Sequence, residues 1–267
     1  MNAVDFEHFV ARLADVSGEA LMPFFRTALG AQDKSVGGAF DPVTEADRAA
    51  EVAMRRLIGA QFPGHGILGE EFGAQDMDAP YVWALDPIDG TKSFVSGLPV
   101  WGTLIGLLHN GRPCYGLMNQ PFTRERFFGD GAASHWTGPA HRGQGTERRR
   151  LRTRACADVG EATLMTTSPL LIGEDRREAY RRVERAARLP RYGGDCYAYC
   201  ALAAGHVDLV IEDGLQPYDI IALIPIVEGA GGVVTTWDGG DATRGGAIIA
   251  AGDPRAHEAA MQLLAKG

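Results

Sequence analysis

The stretch VWALDPIDGTKSF, Val82 to Phe94, constrains the chain more than any other segment. It sets two carboxylates, Asp86 and Asp89, three residues apart, with Pro87 between them and Gly90 directly behind. On a helix that spacing would stack both acids on one face, but proline and glycine together disfavour a helix through this point. The segment YVWALD reads as a strand, so the acids are expected in a loop at its end. Carboxylates held within a few ångströms repel and raise each other's pKa unless a cation lies among them.

The segments around this loop give the expected frame. Phe6, Phe9, Val10, Leu13 and Val16 recur at helical spacing, and a second amphipathic pattern runs from about Thr44 to Ile58. After the acidic loop, VWGTLIGLLHNGRPCYGLMNQ reads as antiparallel strands joined at the turn HNGR. From Pro139 to Arg150 apolar content falls, which places an internal boundary between an α+β half, residues 1–145, and an α/β half, residues 146–267. The second half alternates the strand ATLMTTS, the helix EDRREAYRRVERAAR, a helix near Tyr197 to Ala204, the strand HVDLVIE, a helix YDIIALIPIVEGAG and the strand GGVVTTW. Such alternation predicts an α/β layer. Glycine supplies 35 of 267 residues, nearly twice the usual share of about 7 per cent, which implies many tight turns where a ligand can approach backbone.

Charge and cysteine usage remove several function classes. The 26 Lys and Arg against 34 Asp and Glu leave a net charge of −8, which disfavours nucleic acid and anionic membranes as partners. The basic run ERRRLRTR, Glu147 to Arg154, lacks interleaved aromatics that would stack bases and reads as a solvated strand or linker edge. Cys114, Cys156, Cys196 and Cys200 have neither zinc-site spacing nor disulfide density and read as reduced thiols. Acids interrupt the apolar positions of the N-terminal segment, and no apolar run is long enough for a bilayer, so a cytoplasmic protein is expected.

Further acids lie far from the first pair in sequence. Glu70 and Glu71 follow glycine in GILGEEF, and Asp219 follows a proline in QPYDIIAL, where on its own it reads as a first-turn helix acid. Magnesium prefers oxygen ligands and is commonly held by one or two carboxylates plus substrate phosphate, and the Asp-Pro-Ile-Asp loop can add the carbonyl of Ile88. Two such ions can clamp the attacking and leaving oxygens of a displacement at phosphorus. Gly90 and Thr91 would present backbone N–H groups and a hydroxyl to a bound phosphate. The chain has no G-x-x-x-x-G-K-[ST] loop and no G-x-S-x-G elbow, so nucleotide-hydrolase and serine-hydrolase routes lack their parts.

LDPIDGTKSF, with GEE upstream, DPVTEAD (Asp41 to Asp47) before that and PYDIIAL in the C-terminal third, resembles the inositol monophosphatase superfamily of magnesium-dependent, lithium-sensitive phosphatases. The blocks occur in family order and span nearly the whole chain. The resemblance implies a layered αβαβα sandwich of α+β and α/β halves, often dimeric, with two or three magnesium ions per site. It implies that Glu70, Asp86 and the Ile88 carbonyl bind one magnesium, and that Asp86, Asp89 and Asp219 bind a second. Asp47 and Thr91 would activate the attacking water, the Gly90 and Thr91 amides would hold phosphate oxygens, and Lys34 matches the family's mobile-loop lysine. The implied reaction is in-line attack of water on a phosphomonoester, without a phospho-enzyme.

Specificity falls to the stretch Arg191 to Asp219. GGDCYAYCALAAGHVDLVIE is similar to the histidinol-phosphate phosphatases of the superfamily, and it carries Asp195 where inositol-type members usually carry a small or hydroxyl residue. Asp195 and Glu212 would pair with the ammonium and imidazole of histidinol phosphate, while Asp195 also suits an N-cap of the helix beginning at Cys196. Arg191 would meet substrate or a neighbouring acid. Cys196 and Cys200, at i and i+4, read as helix packing in preference to zinc ligation with His206. Tyr197 and Tyr199 face different ways, so one of them can line a pocket. The alternatives left open are an inositol or nucleotide bisphosphate phosphatase and, in another class, a regulatory binding protein on the same fold. The expected partner is a small-molecule phosphate monoester together with a second copy of the chain, with neither nucleic acid nor membrane.

Overall fold

The computed structural model describes residues 3–27, 32–33, 42–43, 45–141 and 144–265. Helices α1 (Ala3–Leu21) and α2 (Glu45–Gln61) bracket a short antiparallel ribbon, β1 (Gln32–Asp33) and β2 (Pro42–Val43). Eight strands then build one large sheet: β3 (Gly66–Gly69), β4 (Gly73–Gln75), β5 (Tyr81–Asp89), β6 (Gly102–His109), β7 (Arg112–Gln120), β8 (Glu125–Gly129), β9 (Ser134–Pro139) and β10 (Thr146–Arg150). Their order is β10-β9-β8-β7-β6-β5-β3-β4, antiparallel except where β3 runs parallel to β5. The expected turn joins β6 to β7 through Asn110 and Gly111, both at positive φ.

The remaining strands, β11 (Thr163–Thr166), β12 (Leu189–Tyr192), β13 (Leu209–Leu215), β14 (Val233–Thr236) and β15 (Gly246–Ala251), form a second sheet in the order β12-β11-β13-β15-β14. Helix α3 (Thr91–Val95) follows β5 directly. Helices α4 (Arg177–Ala186), α5 (Asp195–Ala203), α6 (Pro217–Ile220), α7 (Leu223–Gly229) and α8 (Pro254–Ala265) belong to the second half.

Strand alternation organises these elements into five layers. On β6, Leu104 and Ile105 enter opposite cores, as do Val210 and Ile211 on β13 and Ile248 and Ile249 on β15. One core packs Val10 and Leu13 of α1 and Met54 and Ile58 of α2 against Trp83 and Leu85 of β5. The central core places Cys196 and Cys200 of α5 with Leu223 and Val227 of α7 between the two sheets. The outer core packs Tyr180 and Val183 of α4 with Ala256, Ala260 and Leu264 of α8 on the far face of the second sheet. Each fully buried aliphatic or aromatic side chain contributes about 1.5–3 kcal/mol, so helices without a strong polar face are held between the sheets. The result is the expected αβαβα sandwich.

Four local features differ from expectation. Asp86 and Asp89 lie within β5 itself: Asp86 pairs with Leu104 but Asp89 with Gly102, so one strand takes three steps while its partner takes two. This bulge accommodates Pro87, which has no N–H to give a ladder, and the Thr103 hydroxyl donates to the Pro87 carbonyl at 2.8 Å. Strand β10 is antiparallel to β9, so the passage between sheets falls after Arg150 and not at 145/146. The expected helix YDIIALIPIVEGAG divides into α6 and α7, because Pro225 cannot donate in a helix interior and is tolerated only near a helix start. Asp195 does not cap α5, whose N-cap is Gly194. The basic run forms the exposed edge strand β10, with Arg148 paired to Glu7 at 2.8 Å and the Arg149 guanidinium 4.2 Å above the Trp136 ring.

Candidate metal centre

The bulge on β5 aims two acids to one side of the large sheet, and Pro217 starts α6 so that its first turn brings Asp219 to meet them. Asp86, Asp89 and Asp219 each offer an oxygen within 4.8 Å of the others. Asp86 is buried, and its Oδ1 has no hydrogen-bond partner. Burial, then the charges of Glu70, Asp89, Asp219 and Asp47, push the Asp86 carboxyl well above the usual carboxylate range. Asp89 is raised by burial and by Asp219 and Asp195, against the bond from Cys196. Asp219 is pushed up to about 6 by burial, which the bonds from Gln216 N–H and with Asp86 oppose. Three convergent carboxylates with an unpartnered buried oxygen form a donor set suited to a hard divalent cation.

Two of the three carboxylates also accept a backbone N–H that fixes their direction. Asp89 Oδ2 accepts from the backbone N–H of Cys196 at 2.6 Å, so an acid of the large sheet caps the first turn of α5. Asp219 Oδ2 accepts from Gln216 N–H at 2.7 Å in a reciprocal capping box.

The other expected residues fall at graded distances from this trio. Glu70 is tied to β5 by its own N–H, which donates to Leu85 O at 3.1 Å, and its charge acts on Asp86, though it lies outside the tight trio. Asp47 is buried in the first turn of α2 and likewise acts on Asp86. The Ile88 side chain is buried in a core, while its carbonyl accepts the Thr91 hydroxyl at 3.1 Å. Gly90 has φ +85, and a Cβ there would stand 2.9 Å from the Asp195 carboxyl, so both backbone and space require glycine. Lys34 lies outside the described residues. Arg191 is exposed on the edge strand β12, without an ion pair among the described residues, and is not brought to the cluster.

A small cavity beside the trio is lined by Asp89, Thr167, Asp195, Cys196, Tyr199, Glu212, Leu215, Asp219 and Leu223. Both expected specificity acids therefore reach it. The Asp195 carboxyl accepts from the Ser93 hydroxyl at 2.5 Å, and its backbone sits at φ +42, a left-handed conformation that Asp tolerates better than most residues. Glu212 Oε1 accepts from Thr167 N–H at 2.6 Å and Thr167 Oγ1 at 2.9 Å, and Oε2 from Thr166 Oγ1 at 3.0 Å. Burial still pushes Glu212 up to about 7 against these three bonds.

Several participants escape sequence reasoning. Ser93 and the Cys196 N–H carry no signal, since each acts across more than a hundred residues. Thr166 and Thr167 had one: they end the strand ATLMTTS, and the carboxyl ends of strands in α/β layers are where ligands bind. Tyr199, whose hydroxyl is buried without a hydrogen-bond partner, is the tyrosine that lines the cavity; Tyr197 instead donates to Glu125 at 2.7 Å.

A layered sandwich with convergent carboxylates between its sheets is the architecture of a class of metal-dependent phosphatases. The sequence model of the inositol monophosphatase family matches residues 4–266, and the chain belongs to that family of metal-dependent phosphatases. It is 44% identical over 263 residues to the chloroplastic bifunctional phosphatase IMPL2 of Arabidopsis thaliana, covering 94% of this chain and 72% of that one. It is 36% identical to the histidinol-phosphatase of Mycobacterium tuberculosis, covering 84% and 86% of the two chains. Among solved structures, an inositol monophosphatase from Zymomonas mobilis superposes with a TM-score of 0.83 at 38% identity, covering 99% of each chain. Among the described residues no helix is long and apolar enough to cross a membrane.

Proposed function

We propose that the protein hydrolyses histidinol phosphate to histidinol and inorganic phosphate, a step of histidine biosynthesis, with two or three magnesium ions at the Asp86–Asp89–Asp219 centre. The observation that carries this reading is the pair of further carboxylates, Asp195 and Glu212, in the cavity beside Asp89 and Asp219. Such a wall suits an alcohol bearing an ammonium and an imidazole far better than a neutral polyol. The similarity to a histidinol-phosphatase along 84% of the chain supports the same choice.

Glu70, Asp86, Asp89, Asp219 and the Ile88 carbonyl would hold the ions. When bound, magnesium supplies Lewis acidity at the phosphoryl oxygens and lowers the pKa of water. Asp47, with Thr91, orients the attacking water and takes its proton at the carboxylate. The Gly90 and Thr91 amides face the phosphate oxygens. Asp195 and Glu212 meet the cationic alcohol, and an arriving cation draws Glu212 from its raised pKa into the ionised state. Arg191 and Lys34 stand as candidate substrate contacts. A cytoplasmic homodimer is the form proposed for the active enzyme, with light scattering as its test.

Phosphate release from histidinol phosphate and from inositol 1-phosphate, compared under saturating magnesium, tests the assignment. The kcat/KM ratio is expected to favour histidinol phosphate by at least about tenfold, the value of one charge-assisted hydrogen bond. The reverse ranking would support the second reading, an inositol monophosphatase, which the Zymomonas mobilis likeness favours.

A further inference from the structure

Helix α2 does more than carry Asp47. One turn further along lies Glu51, a fully buried carboxylate. Its Oε2 accepts from Glu71 N–H at 2.8 Å, and its Oε1 accepts from Phe72 N–H at 3.3 Å and from Arg55 Nε at 2.7 Å. Arg55 Nη2 in turn donates to the Gly73 carbonyl at 2.5 Å. Glu51 and Arg55 together grip the turn from Gly69 to Gly73, whose ends pair as β3 and β4. Gly69 makes the grip possible, because a Cβ there would stand 2.0 Å from Glu51 Oε1.

Arg48 adds a contact on the outer side, 3.7 Å from Glu71 and with its guanidinium 4.8 Å above the Phe72 ring. Glu70, the first residue of this turn after β3, is also fastened to β5 through Leu85 O. Its carboxylate therefore projects from a segment clamped on one side by the strand that carries Asp86 and on the other by the helix that carries Asp47. A buried carboxylate that costs desolvation and spends both oxygens on the backbone of one turn is an expensive way to stabilise a hairpin of two short strands.

We propose that Glu51 is a positioning residue: it locks the Glu70 turn onto α2 and so holds the Glu70 carboxylate in register with Asp47 and Asp86 for divalent-cation binding. This rests on the reading of Glu70 as a metal ligand. Partners that orient ligand-bearing groups commonly affect metal affinity or activity by about 10–100-fold.

The test compares wild type with Glu51→Gln, which keeps the volume but offers one acceptor oxygen in place of two, and with Arg55→Met, which leaves Glu51 in place and removes the link to Gly73. Two quantities are read. The first is amide hydrogen exchange at Glu71 and Phe72 in the metal-free protein; the second is the dissociation constant for Mn2+ followed by the resonance of the free ion. Glu51→Gln is expected to speed exchange at the two amides by at least about tenfold and to weaken Mn2+ binding by about 10–100-fold, while KM for the phosphate ester at saturating metal stays near the wild-type value. Arg55→Met moves both quantities the same way by less. Wild-type exchange in both variants, or faster exchange with unchanged Mn2+ affinity, overturns the proposal. If wild type itself bound no Mn2+, the reading of Glu70 as a ligand would fail, and the exchange rates alone would then uphold or overturn the clamp.

Discussion

Asp86 shows at the scale of one residue how function and stability oppose each other. Four other acids act on it, and its Oδ1 has no hydrogen-bond partner. Asp86→Asn is expected to lower phosphate release about a thousandfold, the equivalent of several kcal/mol of lost charge stabilisation. The same change removes a crowded buried charge, so in EDTA the variant should be more stable than wild type by about 1–3 kcal/mol and melt at a higher temperature. Calorimetry in EDTA checks this, and a lower melting point would show that the acids do not strain the metal-free fold. Asp195→Asn is expected to cut kcat/KM for histidinol phosphate by about 10–100-fold and to leave that for inositol 1-phosphate nearly unchanged. Equal losses on both substrates would assign Asp195 to holding Ser93 and Gly90 alone.

Glu212 gives a pH signature. Its folded pKa, about 7, lies above the ordinary 4.5, so the native state keeps a proton that the unfolded chain has released. Stability from this group is present below about 4.5 and lost as pH rises toward 7, a difference of about 3 kcal/mol. Glu212→Gln lacks that loss, so the melting temperature of wild type minus variant should fall between pH 5 and pH 8 in metal-free, substrate-free protein. A difference independent of pH would contradict the buried, proton-holding state.

At the scale of elements, the bulge in β5 sets the spacing of Asp86 and Asp89. The Pro87 carbonyl that it displaces is held by the Thr103 hydroxyl. Thr103→Val leaves that buried carbonyl unpaired and should destabilise by about 1–3 kcal/mol, with weaker metal binding because the two acids lose their fixed separation. Urea titration and Mn2+ binding measure the two effects, and loss of stability with intact binding would show that the bulge is held by the ladder alone.

The elements also show what was legible in the sequence. Periodicity located α1 and α2, and HNGR located the β6–β7 turn, because those signals are local. DPIDG named the acids but not their setting, since a bulge is defined by the partner strand and Gly102 has no way to announce its pairing with Asp89. The position of Asp195 suits a cap of α5 as well as a substrate contact, yet the capping oxygen comes from Asp89, more than a hundred residues away. Long-range donors such as Ser93 and the clamp at Glu51 became visible only with the fold.

At the scale of the molecule, the centre joins the two sheets. Asp86 and Asp89 end a strand of the large sheet, Asp219 begins a helix after the last strand residue of β13, and Asp89 caps a helix of the second half. A cation bound there links the layers, and binding only to the folded state stabilises by about 2.7 kcal/mol at a hundred times the dissociation constant. Magnesium is therefore expected to raise the melting temperature by about 5–10 °C, reversibly with EDTA. No shift at saturating magnesium would mean that the acids meet without engaging an ion.

The most direct measurement is anomalous diffraction from crystals soaked in Mn2+ with inorganic phosphate. Metal peaks are expected among Asp86, Asp89 and Asp219, one of them also reached by Glu70, with phosphate against the Gly90 and Thr91 amides. Absence of metal at the three aspartates, with ions bound elsewhere or nowhere, would contradict this expectation.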